Sequence, residues 1–89
     1  MPISGVVITT RPEDLHQTRQ FLATCAGVEV HGADDRGNIV AVFDTRTGEE
    51  MERLLKTVNA CPQVLHAGIT YINMEDVVVD EGLDSKATP

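Results

Sequence analysis

Residues 28–43 read Val-Glu-Val-His-Gly-Ala-Asp-Asp-Arg-Gly-Asn-Ile-Val-Ala-Val-Phe, and this stretch decides the fold. Val28 and Val30 alternate with Glu29 and His31, the pattern of a half-buried strand. Asp34, Asp35, Arg36 and Gly37 are turn formers. Ile39 to Phe43 is a second strand, apolar throughout. The stretch is therefore a strand, a tight turn and a strand. A loop with an even number of residues puts Val28, Val30, Ile39, Ala41 and Phe43 on one face, and Glu29, His31, Val40 and Val42 on the other. An odd loop exchanges the second set.

An amphipathic helix flanks this hairpin on each side. Upstream, Leu15, Thr18, Phe21, Leu22 and Cys25 recur at helical spacing. Thr10-Arg11-Pro12-Glu13 reads as the start of that helix, with Thr10 as cap, Glu13 reaching back and Pro12 tolerated in the first turn. Gly27 is placed to stop it. Downstream, Thr47-Gly48-Glu49-Glu50 is a second capping box, followed by the apolar stripe Met51, Leu54, Leu55 and Val58. Pro62 ends that helix. Outermost lie two more strands, Ile3 to Thr9 and Val64 to Met74.

The order is β-α-β-β-α-β, in two similar βαβ halves. It predicts an α+β chain of the ferredoxin-like split βαβ type, with a four-stranded antiparallel sheet and both helices on one face. Residues 1–74 form one domain in this reading. From Glu75 the chain turns acidic and loses its pattern, so residues 75–89 read as a loosely structured tail, in which Val77–Val79 is the one apolar run.

Two helices cover one side of such a sheet, so the other side faces water or a partner. The first and third strands, the central pair, are apolar at almost every position. One of Val6/Ile8 or Ile3/Val7 must point away from the helices, and likewise one of Val40/Val42 or Ala41/Phe43. An apolar stripe on the open face follows, the kind of patch that marks an interaction site. Glu29, Asp34, Asp35 and Asp44 border it, and Glu75 and Asp76 follow the fourth strand. A partner segment with an apolar face and arginines matches both features.

The totals narrow the classes. The chain has 89 residues, one small domain, and a formal net charge of -7, which disfavours nucleic-acid backbones and attracts basic partners. No signal-peptide pattern opens the sequence and no apolar run spans a membrane, so a cytoplasmic location without stable membrane insertion is expected. Cys25 and Cys61 form no Cys-x-x-Cys pair and read as small core residues at matching helix ends. His16, His31 and His66 lack metal-ligand spacing, Ser4 has no histidine near it in sequence, and no glycine-rich phosphate loop is present. No catalytic residue, metal or cofactor is expected.

Ile3-Ser4-Gly5-Val6-Val7-Ile8, Gly27-Val28-Glu29-Val30-His31, Gly37-Asn38-Ile39-Val40-Ala41-Val42 and Val64-Leu65-His66-Ala67-Gly68-Ile69-Thr70-Tyr71 together resemble NapD proteins, from about Ile3 to Met74. The resemblance implies a ferredoxin-like maturation chaperone in the cytoplasm. It implies that the open sheet face binds the twin-arginine signal peptide of the periplasmic nitrate reductase catalytic subunit, delaying export until the molybdenum cofactor is in place. That cofactor would belong to the client. On this reading Val6, Ile8, Val40 and Val42 form the stripe that receives the apolar part of the peptide, while Glu29, Asp34, Asp35 and Asp44 receive its arginines.

The alternative is a small-molecule regulatory module of the ACT type, which shares the strand and helix order. Such modules are usually attached to an enzyme. An acylphosphatase-like enzyme would need a phosphate-cradling loop around Arg11, and the glycines for it are missing.

Overall fold

The computed structural model describes residues 2–73. Met74 and the 75–89 stretch read as a tail, with Val77–Val79, lie outside the described residues. The elements are β1 (Ile3–Thr10), a 3₁₀ turn (Pro12–Asp14), α1 (Leu15–Ala23), β2 (Val28–Ala33), β3 (Asn38–Asp44), α2 (Gly48–Asn59) and β4 (Val64–Asn73). The sheet order is β2-β3-β1-β4, with every neighbouring pair antiparallel. This is the split βαβ arrangement that the element order predicts.

The core lies between the sheet and the two helices. Val6, Ile8, Ile39, Ala41 and Phe43 are fully buried from the central strands, and meet Leu22 of α1 with Met51 and Val58 of α2. Register fixes this face: Ser4 pairs with Phe43, Val6 with Ala41 and Ile8 with Ile39. Beside the turn Ala33 pairs with Ile39 and Gly32 with Val40; a register shift between Val30 and Gly32 then sets Val28 and Val30 opposite Phe43 and Ala41, on the core side, the arrangement expected of an even loop.

Two turns depend on glycine. Gly37 has φ of 101°, and a Cβ there would collide with the Thr10 carbonyl; the Thr10 N–H donates to Gly37 O at 2.7 Å. Gly27 has φ of 88°, and a Cβ would come within 2.8 Å of Asp44 O.

The helix starts differ from one another. At α2 the Thr47 hydroxyl accepts the Glu50 N–H at 3.1 Å, as the capping box requires. The reciprocal arm runs one residue further back, with Glu50 Oε1 accepting from Arg46 N at 3.0 Å. That bond, ahead of the nearby arginine charges, holds the Glu50 carboxyl below the usual glutamate range.

At α1 the expected capping box does not form. Thr10 is still strand, buried at the core edge and paired with Val64, and its hydroxyl donates to Arg11 O at 2.8 Å. The chain enters α1 through the 3₁₀ turn, where Arg11 pairs with Asp14 at 3.0 Å. The helix also stops before Gly27: its C-cap is Thr24, and Gly27 instead turns the chain into β2.

Candidate functional site: the open sheet face

Strand alternation places Ile3, Gly5, Val7 and Thr9 of β1 away from the helices, because Ser4, Val6, Ile8 and Thr10 are buried. On β3 the same face carries Asn38, Val40, Val42 and Asp44. Cross-strand pairs then build it in rows: Asp44 with Ile3, Val42 with Gly5, Val40 with Val7, and Asn38 with Thr9. Val40 is 50% exposed and Ile3 is 37% exposed.

The first-strand half of the expected stripe is therefore corrected. Val6 and Ile8 face the helices and are fully buried, so they are unavailable to a partner. Their places are taken by Ile3 and Val7. Val40 and Val42 lie on the open face as expected. The physical reason is register: Val6 is the partner of Ala41 and Ile8 of Ile39, and direct partners in an antiparallel pair share a face.

The four acidic candidates fall into two groups. Glu29 pairs with Val42, and Asp44 lies two residues further along β3, a diagonal neighbour at about 7–8 Å. Together with Ile3, Gly27, Val28 and Val42 they line a hollow of about 610 Å³. Glu29 also stands 3.4 Å from the His31 imidazole on the same strand, and both side chains are well exposed.

Asp34 and Asp35 lie beyond the other end of β3, where Asn38 is about 20 Å from Asp44 at 3.4 Å per residue. The Asp34 carboxylate is committed to its own turn. It accepts from Arg36 N, Asn38 N and Asn38 Nδ2, each at 2.9 Å. The Asn38 side-chain bond is the largest cause of its lowered pKa. Asp35 is exposed beside Arg36.

A second hollow, of about 370 Å³, opens on the β1–β4 side among Val7, Thr9, His66, Gly68, Ile69 and Thr70. The His66 ring lies over Gly68 so closely that a Cβ at Gly68 would meet it at 2.7 Å. The β4 register shifts between Gly5 and Val6, and the Thr70 hydroxyl donates to Gly5 O at 3.2 Å. Sequence reading passes over Gly68 as a partner-facing position and leaves Ile3 and Val7 as the alternative to Val6 and Ile8. The pairing register decides between the two sets and places Gly68 beside Val7.

The face holds no constellation for metal chemistry: among the described residues no group of three His, Cys, Asp or Glu is placed around an ion. His31 and His66 lie on opposite outer strands. Ser4 is buried, with no hydrogen-bond partner for its hydroxyl among the described residues. The Cys25 thiol donates to Phe21 O at 3.6 Å. Burial pushes it up, opposed by the Thr24 hydrogen bond and aided by Cys61, so the thiolate is disfavoured. No helix among the described residues is long and apolar enough to cross a membrane.

Comparison with solved structures gives the same fold. The solution structure of the Escherichia coli Tat proofreading chaperone protein NapD superposes with a TM-score of 0.74 at 18% identity, covering 91% of this chain and 86% of that one. A transcriptional regulatory protein of the AsnC family from Pyrococcus furiosus superposes with a TM-score of 0.63, also at 18% identity, over 76% of this chain and 48% of that one. This chain thus spans about half of the regulator. A search of curated protein sequences found no match. The family model for NapD protein matches residues 1–76, and the chain belongs to the NapD family.

Proposed function

We propose that this chain is a cytoplasmic maturation chaperone whose open sheet face binds the twin-arginine signal peptide of the periplasmic nitrate reductase catalytic subunit, delaying export until the molybdenum cofactor has been inserted. Family membership and the likeness to a Tat proofreading chaperone support the reading. The observation that carries it is the stripe Ile3, Val42, Val40 and Val7, which runs beside Glu29 and Asp44. An apolar helix gains by covering the stripe, and arginines gain bidentate pairs with the carboxylates.

The test is calorimetric titration with that signal peptide and with the same peptide carrying lysines for both arginines. Tight binding that weakens on lysine substitution supports the reading, since lysine keeps the charge and loses the fork geometry. Absence of binding to both peptides removes it.

A further inference from the structure

The open face is not symmetric along its length. At one end, Glu29 and Asp44 flank the hollow floored by Ile3 and Val42. In the middle lie Val42, Val40 and Val7, with the side-chain-free positions Gly5 and Gly68 beside them. At the other end the face closes without a carboxylate: the Thr9 hydroxyl bonds Asn38 Oδ1 at 3.1 Å, and His66 covers Gly68. Of the acids nearest that end, Asp34 is committed to its own turn, and Asp35 stands exposed in the same turn, beyond the ends of both strands. An acidic zone, an apolar zone and a polar zone without carboxylates thus follow one another along β1.

We infer that the face accepts its client in one direction only, with the paired arginines at Glu29 and Asp44 and the apolar run following β1 from Ile3 towards Thr9. This rests on the signal-peptide reading above and adds its polarity. The Asp44 row and the Asn38 row are about 20 Å apart, the length of about 13 residues of helix. The diagonal of about 7–8 Å between Glu29 and Asp44 lets two neighbouring arginines each find a carboxylate. The first of them displaces His31 from Glu29, replacing an imidazole contact by a bidentate one. The reversed peptide has no such option. Its apolar run would cover Glu29 and Asp44 without pairing them, and its arginines would meet Thr9, Asn38 and His66.

The experiment is paramagnetic relaxation on the full-length, ¹⁵N-labelled chain with two synthetic signal peptides. One carries a nitroxide just before the arginines, the other just after the apolar run. The first is expected to broaden the amides of Ile3, Glu29 and Asp44, the second those of Thr9, Asn38 and His66. The opposite pattern, or equal broadening at both ends by each label, overturns the polarity and leaves the signal-peptide reading standing. Absence of any shift on the sheet with either peptide overturns that reading itself. In a parallel titration, Glu29→Gln with Asp44→Asn should weaken binding by roughly tenfold or more, whereas Asp35→Asn should change it less than about twofold. Equal losses from both variants contradict the polarity.

Discussion

Val7 and Val40 are direct cross-strand partners on the open face, whereas their chain neighbours Ile8 and Ala41 are fully buried beneath them. A charge at Val40 stays in water, and a charge at Ala41 enters the core. Val40→Asp should therefore shift the melting temperature by no more than a few degrees, because surface changes are usually worth within about 0.5 kcal/mol. Ala41→Asp should leave no cooperative transition, since an unpaired buried charge costs several kcal/mol of a marginal total. Thermal unfolding followed by circular dichroism distinguishes the two. Unfolding of Val40→Asp would reverse the assignment of the faces.

This pair also marks where sequence reading stopped. The hairpin, both helices and the four strands are legible from turn formers, helical spacing, the alternation of β2 and the short apolar runs of β1 and β3. The face of β1 is not, because Val6, Val7 and Ile8 are all apolar and the pattern has no polar partner to choose between them. Pairing with β3, some thirty residues away, makes the choice, and it buries Val6 and Ile8. Asp34 shows a different limit. It is legible as a turn former, and its carboxylate accepts three bonds within that turn. Thr10 has the right identity for a helix cap, and the end of β1 takes it first.

Asn59 at the end of α2 is a tie that no motif announces. Its side-chain amide donates to Ala67 O at 3.0 Å and accepts from Ala67 N at 2.9 Å, while also donating to Leu55 O at 3.1 Å. Ala67 is 5% exposed, so losing Asn59 strands two buried backbone groups. Asn59→Ala should cost about 1–3 kcal/mol of unfolding free energy in a urea titration. A change below about 0.5 kcal/mol would show that water replaces both bonds.

Gly37 combines a left-handed φ with the approach of the Thr10 carbonyl. Gly37→Ala should destabilise by about 1–3 kcal/mol through strain and lost fit. For a domain of this size that lowers the melting temperature by roughly 4–8 °C for each kcal/mol. An unchanged melting temperature would mean that the turn can relax.

Glu50 has a pKa lowered in the folded chain by its bond to Arg46 N. A depressed carboxyl stabilises the fold above its unfolded pKa, and that stabilisation is lost as pH falls through the folded value. Glu50→Gln should therefore be less stable than the parent at neutral pH, with the gap closing under acid. Melting temperatures measured from pH 7 down to about pH 2 follow the gap across both pKa values. A gap independent of pH would assign the effect to packing.

If the open face receives the client, a charge in the middle of its apolar stripe must weaken binding. The most direct measurement is calorimetric titration of the nitrate reductase signal peptide into the parent chain and into Val40→Asp, with circular dichroism spectra confirming the same fold. Clear binding to the parent and loss of roughly tenfold or more in the variant are expected, since Val40 stands in the middle of the stripe. Undiminished binding to a correctly folded Val40→Asp chain would contradict it and move the site off this face.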